Sequence, residues 1–242
     1  VKQLLRWHIY PTGEDLAERA AQAVIRCAAQ AIAERGLFRI VLAGGATPRS
    51  VYSRLRSREA DWNAWHVYFG DERWLPAGDP GRNDTMAREN WLGHVPVPQT
   101  QIHCVSAGGE PSQAARAYSR LVAGVDLFDL VLLGLGEDGH TASLFPGRDP
   151  GASESAAAAL LVEAAPKPPP RRISLGAHRL SMARQVIFLV TGASKRGALS
   201  AWRQGFAIPA RHITPAAGVD LFVDRAAMPI PGRDEEAERP PD

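Results

Sequence analysis

Apolar residues along this chain arrive in short dense runs, separated by stretches in which they recur every three or four positions. A dense run reads as a strand covered on both faces, and the spaced pattern as a helix packed by one face. Residues 4–9 open the series as a short strand. Leu16, Ala20, Val24, Cys27, Ala28 and Ala31 then fall at helical spacing behind Thr12, giving a helix of about 20 residues with Thr12 suited to cap it. Residues 38–43 (FRIVLA) form the next strand, and Gly44-Gly45-Ala46-Thr47-Pro48 breaks it, with Thr47 suited to the N-cap and Pro48 to the first helical position. A strand over 66–70 precedes a charged turn, Asp71-Glu72-Arg73, and the polar loop AGDPGRND leads into a helix from about residue 85 to residue 91. A short strand over 102–105, a helix over 111–123 and a long apolar strand over 127–133 follow.

Beyond Pro146 the pattern weakens. Residues 147–159 are small and polar, and PKPPP at 166–170 reads as an extended linker. A strand over 173–175, a turn or two of helix over 177–183 and a strong buried strand over 185–191 (QVIFLVT) come next. Gly192-Ala193-Ser194-Lys195 opens a helix to about Gln204, and 221–224 is a last short strand. The alternation predicts a three-layer α/β/α sandwich around a mainly parallel, Rossmann-like sheet. One domain is expected over residues 1–228, and the charged, proline-rich tail from Pro229 is expected to be disordered.

Composition narrows the function classes. Among 242 residues, 28 are basic and 26 acidic, so no charge excess or basic run argues for nucleic acid. No stretch approaches the roughly 20 apolar residues of a membrane span, and a cytoplasmic protein is expected. Cys27 and Cys104 are too few for a disulfide framework and lack metal-ligand spacing; Cys27 reads as a buried thiol on a helix face. With no coiled-coil seam or sticky edge, a monomer or weak dimer is expected.

Chemistry concentrates at four strand ends. Gly44-Gly45-Ala46-Thr47 could offer backbone N–H groups and a helix N-terminus to a phosphate, or could be an ordinary strand-to-helix turn. Asp71-Glu72-Arg73 could be a surface ion pair, although arginine is the residue best shaped to grip phosphate. Gly134-Leu-Gly136-Glu-Asp-Gly139 fits the dinucleotide fingerprint G-x-G-x-x-G, but Pro146 stops the helix that reading needs, and no acid ends a strand some 20 residues on. The same turn carries Asp138 two residues before His140, a couple in which the carboxylate can fix the imidazole tautomer and raise its basicity. Lys195 sits at a helix start, where the dipole disfavours a cation, which hints at an anionic ligand. Together these describe a pocket for an anionic polyol whose chemistry needs a base and water.

LAGGATPRSVY, FGDERWLP, GRNDTMAREN, LGLGEDGHTASLFPG, KPPPRRISLG and VTGASKRGAL, in that order and spacing, resemble the 6-phosphogluconolactonase family. The resemblance runs from about residue 8 to residue 225, and GxGxDGHTASLFP is its most specific block. It implies a fold shared with glucosamine-6-phosphate deaminases/isomerases and hydrolysis of 6-phosphogluconolactone in the oxidative pentose phosphate pathway, with neither metal nor organic cofactor. By the same resemblance His140 is the general base that activates water, and Asp138 orients it. Arg73 and Lys195 are phosphate-side cations, with Gly44, Gly45 and the Thr47 hydroxyl as further donors. Asp71 and Glu72 match family positions without fixed roles, one of them able simply to hold Arg73, and Asn83 organises the pocket loop. Ala46 stands where a serine is more usual, and residues 148–160 are shorter and richer in alanine than in relatives.

Two rivals stay in view. A deaminase/isomerase would share the phosphate loop and the D-G-H turn, but that family reads more like MDEY and GHIAFNEP than GDERW and GHTASLFP. A non-catalytic sugar-phosphate sensor would keep the cations and could dispense with His140. G-x-S-x-G and H-E-x-x-H are absent, which argues against a serine esterase or zinc hydrolase.

Overall fold

The computed structural model describes residues 3–229. Its strands are β1 (Leu5–Tyr10), β2 (Phe38–Leu42), β3 (Trp65–Phe69), β4 (Asp71–Arg73), β5 (Ile102–His103), β6 (Phe128–Gly134), β7 (Ala159–Val162), β8 (Arg172–Leu175), β9 (Ala183–Val190) and β10 (Val219–Asp224). Its helices are α1 (Gly13–Arg35), α2 (Ala46–Leu55), α3 (Asn83–Ala87), α4 (Pro111–Ala123), α5 (Ala177–Ser181) and α6 (Arg196–Gln204). Seven strands form one parallel sheet in the order β1-β10-β9-β6-β2-β3-β5. The expected tail lies, from residue 230 on, outside the described residues.

Burial on both faces explains the unbroken apolar runs. Leu130 and Leu132 of β6 pack with Leu16 and Val24 of α1 and Tyr52 of α2. Val131 and Leu133, pointing the other way, pack with Tyr118 of α4 and Leu199 and Trp202 of α6. Each such side chain contributes roughly 1.5–3 kcal/mol on burial. Thr12 caps α1 as expected, its hydroxyl accepting from Asp15 N while Asp15 reciprocates to the Thr12 backbone. Cys27 is half-buried rather than fully buried and donates to Gln185 Oε1, and burial pushes its thiol up to about 11. No helix among the described residues is long and apolar enough to cross a membrane.

Several local expectations are corrected. Gly45, not Thr47, is the N-cap of α2, because its φ of 104° makes the bend into the helix; no side chain caps that end. Asp71-Glu72-Arg73 is not a turn but β4, which joins β8 and β7 in a small antiparallel sheet ordered β4-β8-β7. The partner strand lies about a hundred residues on, so no local pattern announces it. Residues 147–159 read as small and polar, with no strand placed after them before 173, yet Ala159 begins β7, whose ALLV is too short to stand out. The 166–170 linker is a bent strap with a cis Pro168–Pro169 bond rather than an extended segment. The helix expected over 85–91 starts at Asn83 and turns into a single π turn over Arg88–Leu92.

Chain order sets the site. From β2 the strands step outward through β3 to β5, whereas β6, β9 and β10 step outward in the opposite direction. The reversal falls between β2 and β6, whose pairing covers only Ile40–Leu130 and Val41–Val131. Above that point their carboxyl ends part, and such a switch point is where open α/β sheets bind ligands.

Candidate active site

The parting of β2 and β6 opens a cavity of about 310 Å³. All four chemistry-bearing loops reach it or stand directly behind it, because their strands are neighbours in the order β9-β6-β2-β3.

The turn after β6 is self-contained. Gly136 N donates to His140 O at 2.7 Å and Gly139 N to Gly136 O at 3.0 Å, closing a tight loop. The His140 ring lies directly over Gly136, where a Cβ would come within 2.0 Å of Nδ1. Glycine at 136 is therefore a space requirement of the imidazole. No helix follows; Thr141 and Leu144 close another turn through an isolated bridge, which removes the dinucleotide reading. His140 Nδ1 hydrogen-bonds Asp138 Oδ1, and Phe145, buried, lies 4.8 Å from the imidazole, ring centre to ring centre. Burial works against the Asp138 charge, but the hydrogen bonds and charge of His140 prevail and hold its carboxyl below the usual range. Asp138 stands behind His140 and does not line the cavity.

The small sheet forms a second wall. Side chains alternate along β4, so Asp71 and Arg73 face the cavity while Glu72 points away. Asp71 Oδ2 accepts from Ser143 Oγ at 2.6 Å and Oδ1 from Asn83 Nδ2 at 3.1 Å, which fixes the carboxylate without a cation. Glu72 is buried and accepts from the backbone of Arg73, Asn83 and Asp84, with Arg82 Nη2 at 3.6 Å from its Oε2. Burial pushes its carboxyl up to about 7, against those hydrogen bonds and the Arg82 charge. Neither acid holds the Arg73 guanidinium, which donates from Nη1 to Gly81 O at 2.6 Å and leaves a buried Nε without a partner among the described residues.

Gly44 and Gly45 border the cavity between these walls. Asn83 packs so closely that a Cβ on Gly44 would meet its Oδ1 at 2.1 Å, so Asn83 shapes the glycine loop from behind. Thr47 is occupied elsewhere: its hydroxyl lies 2.6 Å from Thr191 Oγ1, tying the loop after β2 to the loop after β9. Lys195 ends a 3-10 turn over Ala193–Lys195, lines the cavity, and among the described residues has only Glu137 as an acidic neighbour, at 4.0 Å.

Of the residues read from sequence, Gly44, Gly45, Asp71, Arg73, His140 and Lys195 therefore border one cavity. Thr47, Glu72, Asn83 and Asp138 support it from behind. Lys167 and Arg172 also line the cavity and were not singled out. Both lie in the KPPPRRISLG block that takes part in the resemblance, but that block assigned neither a role, and the arginine pair needed the small sheet to give it meaning. Among the described residues no group of three or more His, Cys, Asp and Glu side chains is placed to hold a metal.

A family model described as glucosamine-6-phosphate isomerases/6-phosphogluconolactonase matches residues 11–223. The chain is 37% identical over 228 residues to a 6-phosphogluconolactonase of Synechocystis, covering 88% of this chain and 92% of that one. The crystal structure of a 6-phosphogluconolactonase from Thermotoga maritima superposes with a TM-score of 0.84 at 25% identity, covering 92% of this chain and all of the other. A monomeric glucosamine-6-phosphate deaminase shares the fold, with a TM-score of 0.79 at 21% identity over 92% of this chain and 98% of the other.

Proposed function

Because the chain belongs to the glucosamine-6-phosphate isomerase/6-phosphogluconolactonase family, we propose that it hydrolyses 6-phospho-D-glucono-1,5-lactone to 6-phosphogluconate in the oxidative pentose phosphate pathway. A fold shared with a deaminase does not separate the two activities. The identity to lactonases over most of the chain favours the lactone. One observation carries the reading: an acid-oriented imidazole faces a cavity whose other walls bring Arg73 and Lys195, the first with no carboxylate at ion-pair distance among the described residues and the second with only a marginal one, Glu137 at 4.0 Å.

Asp138 occupies Nδ1, so Nε2 is the nitrogen left to accept a proton. His140 takes a proton from water at Nε2 as the water oxygen attacks the lactone carbonyl. The imidazolium, stabilised by Asp138, then returns that proton to the departing ring oxygen. A lactone carbonyl is an activated ester, so a general base suffices and the reading needs neither metal nor organic cofactor. Arg73 and Lys195 grip the phosphate, helped by the open N–H groups of the Gly44-Gly45 loop. Asp71, already held by Ser143 and Asn83, is set to accept a sugar hydroxyl. The same reading takes the phosphorylated lactone as the sole partner needed and the cytoplasm as the place of action.

The purified protein is expected to accelerate loss of freshly made 6-phosphogluconolactone, equally well in excess chelator. His140→Ala should lower kcat by roughly 10²–10⁴-fold with a much smaller change in KM. Wild-type kcat in that variant would remove His140 as the base, and loss of activity in chelator would remove the metal-free mechanism.

A further inference from the structure

Arg172 is the least explained cation of the cavity. It is buried, lies in register with Arg73 across β4 and β8, and so shares the face that Arg73 turns to the cavity. Like charges directly opposite in an antiparallel pair oppose one another. Among the described residues neither guanidinium has a carboxylate within ion-pair distance. Burial lowers the Arg172 pKa from its ordinary value, with Asp71 acting against that and Arg73 adding to it. Two arginines paired in register thus line one cavity, with Asp71, already held by Ser143 and Asn83, as the carboxylate nearest in the same lining.

The rest of the Arg172 fork has a second task. Nε donates to Pro169 O at 3.1 Å, and Nη2 donates to Lys167 O at 2.9 Å and Pro168 O at 3.1 Å. These are consecutive carbonyls of the 165–170 strap, which Ala165 N closes by donating to Pro170 O at 2.8 Å. Phe145 lies beneath, 5.6 Å from the guanidinium carbon and packed against Ala165. Nη1 has no partner among the described residues. One edge of the fork is thus spent on the strap and the other is open, while the strap carries the exposed Lys167 to the cavity rim.

We propose that Arg172 is a further phosphate-binding residue of this site and couples it to the strap: Nη1 meets the substrate phosphate opposite Arg73, and the same guanidinium fixes the strap that brings Lys167 to it. The phosphate removes the repulsion between the two arginines, so its arrival steadies Arg172 and, through it, the strap. The role of the phosphate as substrate group rests on the lactonase reading; the anion site does not.

Two measurements separate them. Hydrogen exchange of the peptide spanning 163–175, with and without saturating inorganic phosphate, reads the coupling without turnover. Phosphate should slow exchange several-fold in the wild type and leave it unchanged in Arg172→Gln. Steady-state kinetics on phosphorylated and unphosphorylated gluconolactone read the specificity. Arg172→Gln should raise KM for the phosphorylated lactone roughly 10- to 100-fold, the range for losing one charge-assisted hydrogen bond, and raise it far less for the other. If Arg172→Gln fails to fold, Arg172→Lys, which keeps the charge and loses the fork, should show an intermediate KM and no strap protection. A wild-type strap indifferent to phosphate, or equal losses on both lactones, would overturn the proposal. Phosphate-dependent protection in a protein with no lactonase activity would leave the anion site standing and remove the substrate assignment instead.

Discussion

The turn after β6 and the strand β4 both follow a buried strand of the central sheet, and both deliver charged side chains to the same cavity. They do it by opposite means. The turn uses contacts within five residues: Gly136 to His140, Gly139 to Gly136, and Asp138 to His140. β4 relies on β8, about a hundred residues later, and on Ser143 and Asn83 to fix what it presents. The difference matches the two tasks. A general base must sit within a few tenths of an ångström of its water, which a closed local turn enforces. Gripping a phosphate needs several cations converging from different directions, which one short loop cannot supply.

The largest test of this contrast is Gly136→Ala. Its methyl would displace the imidazole, and a misplacement of about 1 Å can cost roughly 10²-fold in rate, so kcat should fall by about that much. Unchanged kcat would show that the turn is not what places the ring. Arg73→Ala should act through KM instead, raising it about tenfold or more for the phosphorylated lactone and much less for the unphosphorylated one. A fall confined to kcat would move Arg73 from the grip to the chemistry and break the division between the walls. Glu72 gives the smallest and most specific effect, because it faces away from substrate. Its carboxyl titrates near 7 in the fold, above its ordinary 4.5, so the folded state keeps a proton that the unfolded chain has released. The stability this contributes is full below the unfolded value and is lost as pH rises through about 7. Between pH 5 and pH 8, Glu72→Gln should therefore gain on the wild type by on the order of 2–3 kcal/mol in thermal or urea unfolding.

The same contrast explains what could be read before the fold was seen. Strands buried on both faces declare themselves as apolar runs, and β2, β3, β6 and β9 were legible for that reason. The His140 turn was legible because its acid, its glycines and its base are consecutive. β4 was not: three charged residues look like a turn until β8 pairs with them. Arg172 stayed hidden likewise, since its meaning depends on a register with Arg73. The roles of Asp71 and Glu72 were open in sequence because adjacent acids differ only in which side of a strand they occupy, and a supposed turn has no sides. Thr47 misled for a different reason. Its side chain suits an N-cap, but Gly45 bends the backbone two residues earlier and frees the hydroxyl to reach Thr191.

The pairing of β1 with β10 carries a consequence for how this molecule is made. Among the described strands β1 is the first and its one sheet neighbour, β10, is the last, with Arg6 and Asp220 joined across 214 positions. A nascent chain leaving the ribosome therefore holds β1 without its sheet neighbour until β10, some 210 residues later, has emerged. Closing so long a loop is slow, which ranks this seam among the late events of folding. Until it forms, Leu5, Trp7 and Ile9 stand on an open strand, and that interval is when the newborn protein is most exposed to pairing with a neighbour.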